Sequence, residues 1–177
     1  MADDFRDLRC KAAQTKAIAL DVDGVLTDGR LHIDEQGCEH KIFHSRDGHG
    51  IKMLQKLGVE VAIITGRSSP AVLKRAEGLG IKHVILNCTT KGEAIEQLSE
   101  TLNQPLKHIA AMGDDLIDLP MLNRAGLAAT VPEAPAIIRA CCDWTSPLPG
   151  GQGAVRALID LIITARGDWP TVLEQHR

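Results

Sequence analysis

Aromatic residues are scarce in this sequence, which has two phenylalanines, two tryptophans and no tyrosine among 177 residues. Proteins that bind single strands of nucleic acid stack the bases on aromatic side chains, and a net charge of -3 offers phosphates no basic surface. We therefore expect no nucleic-acid ligand. The core has to be built from Val, Ile, Leu and Ala, which suits a parallel sheet whose strands are buried on both faces.

Long apolar runs are missing as well. No stretch approaches the roughly 20 apolar residues of a transmembrane helix, and the N-terminal MADDFRDLRC lacks the basic start and apolar segment of a signal peptide. The five cysteines are odd in number and form no CxxC pair, which favours reduced thiols over a disulfide framework. We expect a cytoplasmic protein with no membrane partner.

Aliphatic strand-like segments alternate with helical segments along most of the chain. The predicted strands are 17–21, 59–65, 83–86, 108–114, 127–131 and 142–146. The predicted helices are 3–14, 50–57, 70–79, 91–102, a short helix ending at Leu122, 135–140 and 153–165. Such alternation predicts an α/β fold with a doubly wound parallel sheet. Two strand-like runs around Gly37 add an inserted β-hairpin at about 28–44, and we expect one domain over 1–177.

The segment DVDGVLTDG starts at Asp21, where the first predicted strand ends. The Asp21 carboxylate can attack phosphorus and form an aspartyl phosphate. Asp23 can protonate the leaving alkoxide and later take a proton from water. An acidic turn after a strand explains DxDG equally well when the segment is taken alone.

Two further segments, IITGR and KGEAIEQL, follow predicted strands. The Thr65 hydroxyl and the N–H groups after it can hold phosphate oxygens at a helix N-terminus. Lys91 can neutralise a transferring phosphoryl group. Because a capped turn and a surface lysine are common, neither segment identifies a site by itself.

Three carboxylates crowd one strand exit in GDDLIDLP, namely Asp114, Asp115 and Asp118. Such a cluster repels itself unless a cation or water screens it, and Mg²⁺ prefers oxygen ligands. Asp21, Asp114 and one backbone carbonyl would suffice to bind the ion, while Asp118 would support the site from one helical turn further on. We favour this metal site over an acidic helix start that merely complements the dipole.

The order of these four segments resembles the four motifs of the haloacid dehalogenase superfamily of phosphatases, over roughly Ala17 to Leu122. The resemblance implies that Asp21 is the nucleophile and a metal ligand. Asp23 would be the general acid and base and would lend its carbonyl to Mg²⁺. The remaining implied roles are phosphoryl binding by Thr65 and Lys91, metal binding by Asp114, and support of the metal site by Asp118.

A narrower likeness is carried by the hairpin, the missing cap domain, FHSRDGHG and GGQGAVR. They resemble the capless members that dephosphorylate an eight-carbon 2-keto-3-deoxy sugar acid of lipopolysaccharide synthesis. The likeness implies Mg²⁺ as cofactor, a small phosphorylated sugar acid as substrate, and a homo-oligomer, a tetramer, with residues 30–44 at the interface. A sugar carboxylate would suit an arginine fork. The predicted substrate-binding residues are Gly66, Arg67, Arg75, Asp47 and Gly48.

Three alternatives stay open from the residues. A phosphorylated receiver domain also combines acidic residues, Thr, Lys and Mg²⁺, but in another order along the chain. A non-catalytic assembly domain would have no need to retain Asp21, Asp23, Lys91 and Asp114. A phosphatase of a nine-carbon sialic-type sugar 9-phosphate shares all four motifs, and only Arg67 after Thr65-Gly66 favours the eight-carbon type.

Overall fold

A computed structural model describes residues 2–177, with side chains from Arg6 onward. It contains a six-stranded and a two-stranded sheet. The strands of the large sheet are β1 (Ala17–Leu20), β4 (Glu60–Ile64), β5 (His83–Ile85), β6 (Ile109–Met112), β7 (Leu127–Thr130) and β8 (Trp144–Thr145). The small sheet is a hairpin of β2 (His32–Ile33) and β3 (Glu39–His40).

Helices connect most of the strands of the large sheet. They are α1 (Ala2–Ala13), α2 (Ser45–Lys56), α3 (Pro70–Leu79), α4 (Lys91–Leu102), α5 (Leu119–Leu122), α6 (Ala136–Cys141), α7 (Ala154–Arg166) and α8 (Trp169–Glu174). Helix α7 packs against α1 and α2, and α4 packs against α5. Among the described residues, no helix combines the length and the apolar character that crossing a membrane requires.

The large sheet is parallel throughout and has the order β5-β4-β1-β6-β7-β8. The chain therefore starts in the middle, adds strands on one side, and then returns to add strands on the other. This is the predicted doubly wound α/β fold with an inserted hairpin, and the prediction is confirmed. Strands β1, β6 and β7 are entirely buried, as expected for the central strands of a sheet covered by helices.

Helix α2 begins at Ser45, five residues earlier than the predicted start at about 50. The segment RDGHG discourages a helix prediction because glycine is a poor helix former. Packing overrides that tendency. A β-carbon on Gly48 would lie 2.3 Å from Arg75 Nη2, and one on Gly50 would lie 2.9 Å from Arg156 Cδ. The two glycines therefore allow α2 to approach its neighbours closely.

Two other local features differ from what the sequence suggests. Thr90 with Glu93 three residues later is the pattern of a capping box at the start of α4, a prediction that is wrong. The Thr90 hydroxyl donates to Glu93 Oε2 at 3.1 Å, so these side chains bond to each other and do not cap the backbone of α4. The tail after Gly167, for which no structure was predicted, forms α8. Trp169 Nε1 donates to Thr164 Oγ1 at 2.9 Å and thereby attaches α8 to α7.

Candidate active site

Strand β1 lies between β4 and β6, so the residues that follow these three strands meet at one edge of the sheet. Leu20 is in register with both Ile63 and Met112, and the Asp21 N–H donates to Met112 O at 3.0 Å. A cavity of about 200 Å³ opens at this edge. Its lining residues are Asp21, Asp23, Gly29, Thr65, Gly66, Arg67, Asp114, Asp115 and Ile117.

A sharp turn after β1 brings the first motif against the fourth. Gly24 has φ +85°, a left-handed conformation that favours glycine. A β-carbon at this position would lie 2.1 Å from Asp114 Oδ2. The turn therefore needs glycine for two reasons, namely its backbone conformation and the space that the Asp114 carboxylate occupies.

Lys91 lies at the start of α4 and extends its ammonium into the buried acidic cluster. Its Nζ donates to Asp21 Oδ1 at 2.7 Å and to Asp118 Oδ1 at 2.5 Å. The side chain is only 2% exposed. Burial opposes its charge, but the two carboxylates outweigh burial and raise the pKa of Lys91 above its usual value. Lys91 is thus a buried cation beside Asp21.

Asp118 holds the loop that follows β6. Its Oδ2 accepts hydrogen bonds from the N–H groups of Asp114 and Asp115 at 3.0 and 3.2 Å. Because Oδ1 already accepts from Lys91, both oxygens of Asp118 have protein partners. The Asp114 carboxylate, by contrast, accepts no side-chain or backbone hydrogen bond identified within residues 2–177. Asp118 is therefore placed to support Asp114, while Asp114 keeps its oxygens available.

The acidic cluster has the composition that a divalent cation requires. One carboxylate oxygen from each of Asp21, Asp114 and Asp118 lies within 4.8 Å of the others. Burial and then the charges of Asp118, Asp21 and Asp115 raise the pKa of Asp114 to about 7. Burial and Asp118 also raise the pKa of Asp21 against the opposing effect of Lys91. One ammonium does not balance three carboxylates, so oxygen ligands and surplus negative charge both fit Mg²⁺.

The segment after β4 places the second motif in the lining of the cavity. Thr65 is buried, and its Oγ1 accepts from the Arg67 N–H at 3.3 Å. Gly66 follows with its N–H group, and Arg67 is about half exposed with Nη2 2.5 Å from Glu39 Oε2. These three residues can offer a hydroxyl, a backbone donor and a guanidinium to an anionic ligand.

Two residues of the hairpin, Lys41 and Glu39, contact side chains that line this cavity, although no sequence pattern assigned them a role in the site. Lys41 Nζ lies 2.5 Å from both Asp23 Oδ1 and Glu39 Oε1. Burial lowers the pKa of Lys41, but the hydrogen bonds to Asp23 and Glu39 raise it overall. The available signal was the alternation in EHKIF, since side chains two apart in a strand share a face.

The remaining predicted substrate-binding residues do not line the Asp21 cavity. Arg75 Nη2 donates to His44 O at 3.3 Å, and its guanidinium lies 5.6 Å from the centre of the Phe43 ring. Gly48 packs directly beneath that guanidinium. Asp47 is buried and accepts the Arg156 N–H at 2.7 Å, so it caps the first turn of α7. Their predicted role in substrate binding stays a prediction.

The fold and the four motifs at its sheet edge are those of a haloacid dehalogenase-like hydrolase. The family model of that description matches residues 86–158. The chain is also 39% identical over 161 residues to the 3-deoxy-D-manno-octulosonate 8-phosphate phosphatase of Escherichia coli, covering 91% of this chain and 86% of that protein. The resemblance inferred from the motifs is thereby confirmed.

Solved structures agree with this assignment. The phosphatase of the same name from Moraxella catarrhalis, in complex with magnesium, phosphate and KDO, is 38% identical, with a TM-score of 0.94 and coverage of 97% of this chain and 99% of that one. The cobalt-bound Haemophilus influenzae enzyme is 39% identical, with a TM-score of 0.86 and coverage of 89% and 92%. This chain belongs to the family of 3-deoxy-D-manno-octulosonate 8-phosphate phosphatases, which are phosphoric monoester hydrolases.

Proposed function

We propose that this protein hydrolyses 3-deoxy-D-manno-octulosonate 8-phosphate to the free sugar acid and phosphate, a step in making lipopolysaccharide. The observation that carries the proposal is the cavity at the sheet edge, where Asp21, Asp23, Thr65 and Asp114 meet. Likeness to relatives with this activity over 91% of the chain supports the choice of substrate.

In the first half of the reaction, a carboxylate oxygen of Asp21 forms a bond to phosphorus while the ester P–O bond breaks. The electron pair of that bond remains on the sugar oxygen, which takes a proton from Asp23. Lys91, 2.7 Å from Asp21 Oδ1, holds the nucleophile in place and offsets charge on the phosphoryl group. Thr65 and the Gly66 N–H bind its other oxygens.

In the second half, water attacks the phosphorus of the aspartyl phosphate. Asp23, now ionised, accepts the proton of that water, and the bond between phosphorus and Asp21 breaks. Phosphate leaves, and both aspartates return to their starting states. The sum of the two halves is one ester and one water consumed, and one alcohol and one phosphate released.

We assign the binding of Mg²⁺ to the carboxylates of Asp21 and Asp114 and the backbone carbonyl of Asp23. The fit rests on the surplus negative charge of the cluster and on the unpartnered carboxylate of Asp114. When bound, Mg²⁺ supplies the positive charge that lets a phosphate approach these carboxylates. Asp118 orients the Asp114 loop through its two backbone hydrogen bonds.

Arg67 is the residue we assign to the sugar carboxylate. Two observations support this assignment: Arg67 lines the cavity, and its guanidinium already pairs with the carboxylate of Glu39. Arg75, Asp47 and Gly48 form a separate group around the first turn of α2. Because they do not line the cavity, we propose for them only an indirect contribution to substrate binding.

We further propose a cytoplasmic homo-oligomer, a tetramer, of single-domain chains with the hairpin at the interface. Leu31, Ile33 and Ile42 are 50%, 62% and 65% exposed, which is costly for a small hairpin with open edges. A second copy of the chain would cover these side chains. It would also shield the cavity. Among the described residues, no insertion larger than this hairpin is present to cover the cavity from within the same chain.

A panel of sugar phosphates, assayed with and without Mg²⁺ after treatment with EDTA, tests the proposal. We expect the eight-carbon 2-keto-3-deoxy acid phosphate to have the highest kcat/KM, and activity to vanish with EDTA and return with Mg²⁺. If the protein prefers a nine-carbon sugar 9-phosphate, that compound is its substrate instead. A stable aspartyl phosphate that never turns over would indicate a receiver-like function instead.

A further inference from the structure

Lys41 is a buried cation that the reaction described above does not use. Its side chain is 3% exposed, although it belongs to a short hairpin on the surface of the protein. Its Nζ lies 2.5 Å from Asp23 Oδ1 and from Glu39 Oε1. A charged side chain is rarely buried to this degree unless it has partners, so the carboxylates of Asp23 and Glu39 explain why Lys41 turns inward.

Each of the two catalytic carboxylates accepts a hydrogen bond from one buried lysine. Lys91 contacts Oδ1 of Asp21 at 2.7 Å, and Lys41 contacts Oδ1 of Asp23 at 2.5 Å. For Asp23, this leaves Oδ2 as the oxygen available to a ligand. Arg67 Nε is 3.8 Å from that Oδ2 and is held there by Glu39. The hairpin thus fixes one oxygen of Asp23, a residue that lines the cavity, and leaves the other without a hydrogen bond from the described side chains.

Lys41 and its neighbour Ile42 also link the Asp23 carboxylate to the outer face of the hairpin. Neighbouring side chains in an extended segment point to opposite faces. Lys41 accordingly reaches Asp23, while Ile42 is 65% exposed. A contact made by Ile42 with a second copy of the chain would restrain the same backbone that carries Lys41.

We propose that Lys41 is a positioning residue that holds Asp23 so that Oδ2 exchanges the proton with the leaving-group oxygen. This inference rests on the proposed phosphatase function. Proton donation matters most when the alcohol is a poor leaving group, as in a sugar phosphate. It matters little for p-nitrophenyl phosphate, whose phenolate leaves without a proton. The ratio of the two activities therefore separates a change in proton donation or in sugar binding from a change in folding or phosphate binding. Because Glu39 pairs with both Lys41 and Arg67, the double variant described below is needed to assign the effect to Asp23.

The test measures kcat/KM, which covers the steps up to release of the alcohol, for the best sugar phosphate and for p-nitrophenyl phosphate. Since a small misplacement of a catalytic group is costly, we expect Lys41→Met to lower the value for the sugar phosphate by at least about tenfold. For p-nitrophenyl phosphate we expect a loss of less than about threefold, because that ester depends little on a general acid. Lys41→Arg, which keeps the cation, should restore part of the loss.

A double variant separates positioning from a general structural effect. Asp23→Asn/Lys41→Met should be no slower on the sugar phosphate than Asp23→Asn, because Lys41 acts through Asp23. Lys74→Met is the matched control, since Lys74 is 82% exposed and pairs with Glu77 on the surface of α3. It should change neither activity.

Four results would overturn the inference. Equal losses on both esters would mean that Lys41 serves folding or phosphate binding, and additive losses in the double variant would mean that it acts independently of Asp23. A wild-type protein that hydrolyses neither ester would overturn the proposed function and this inference with it. A wild-type protein that hydrolyses both, with an unchanged ratio in Lys41→Met, would overturn the inference alone.

Discussion

Gly24 and Asp114 approach each other so closely that a β-carbon on Gly24 would lie 2.1 Å from the Asp114 Oδ2. They come from the loops after β1 and β6, which are adjacent strands. The position of the proposed metal ligand thus depends on the absence of a side chain in the nucleophile loop. This contact connects the first motif to the fourth, so a substitution at Gly24 tests the metal site.

We expect Gly24→Ala to weaken Mg²⁺ binding and to lower activity at limiting Mg²⁺ by about tenfold or more, as supporting residues of metal sites typically do. The reason is that the new methyl group displaces the Asp114 carboxylate. Isothermal titration with Mg²⁺ and activity across a Mg²⁺ series would measure both effects.

Gly58→Ala is the matched control, because Gly58 has φ +77° and a methyl group there would have no neighbouring atom within 4 Å. It should lose stability but keep its Mg²⁺ affinity, and equal losses of affinity in both variants would refute the steric explanation.

Asp21→Asn should abolish turnover while leaving the fold intact. The substitution keeps the shape of the side chain and removes the negative charge that attacks phosphorus, and Lys91 keeps Asp118 as a partner. Circular dichroism and a thermal melt would establish folding, and phosphate release would measure turnover. Activity within about tenfold of wild type, which corresponds to only ~1.4 kcal/mol of barrier, would contradict the assignment of Asp21 as nucleophile.

The placement of the candidate catalytic residues could be predicted from the sequence because each lies just after a buried strand. Once the strands are predicted to be parallel, their carboxyl ends share an edge, and Asp21, Thr65 and Asp114 have to converge there. The strand bounds of the structure agree with the predicted ones closely enough to preserve this placement. Local periodicity and the order of motifs therefore predict most of the site.

Contacts that depend on packing between distant segments could not be predicted in this way. Lys41 reaches Asp23 only because the hairpin turns back over the cavity, and no local pattern gives the direction of that turn. Asp47 was assigned to the substrate by resemblance alone, whereas the contact seen in the structure is a cap on α7, 109 residues further along the chain. Sequence patterns predict where side chains emerge from an element, while the partner that each one meets is set by tertiary packing.

Stability should depend on pH through Asp114. Its pKa is raised from 3.8 to about 7 in the folded protein, so between these values the folded state binds more protons than the unfolded state. Stability without metal should therefore fall as pH rises through this window. Asp114→Asn removes the charge, and its melting temperature should exceed that of EDTA-treated wild type by more at about pH 8.5 than at about pH 5.

Mg²⁺ should relieve the same repulsion in the wild type. We expect it to raise the melting temperature more at about pH 8.5 than at about pH 5, since only the ionised carboxylate binds the ion. Asp114→Asn should lose most of this response. A Mg²⁺ effect that is equal at both pH values, or one that persists in the variant, would contradict the assignment of Asp114 as a ligand.

Arg67→Ala should raise KM for the sugar acid phosphate more than for p-nitrophenyl phosphate. Arg67 lines the cavity and already binds a carboxylate, that of Glu39, whereas p-nitrophenyl phosphate carries no carboxylate. Removal of a charged hydrogen bond is worth about 1.5–3 kcal/mol, so the KM ratio should shift by roughly one to two powers of ten. Steady-state kinetics with both substrates would measure it. Equal changes would mean that Arg67 acts on the phosphate or on folding.

The hairpin should carry the interface of the proposed oligomer. Leu31 and Ile33 are 50% and 62% exposed, and replacing both with Asp should prevent a second copy from covering them. We expect the double variant to dissociate and to lose kcat/KM together, because Lys41 and Glu39 lie on the same hairpin and contact Asp23 and Arg67 in the cavity lining. Light scattering at micromolar concentration and steady-state kinetics would measure the two effects.

The matched control for this experiment is Ile137→Asp/Leu173→Asp, since these side chains are 58% and 59% exposed on α6 and α8. This variant should stay assembled and active, which would show that adding two charges to the surface is not itself disruptive. A fully active monomeric wild type would refute the interface, because the cavity would then need no second copy. A Leu31→Asp/Ile33→Asp variant that stays both assembled and active would refute it as well, since the hairpin would then serve only its own chain.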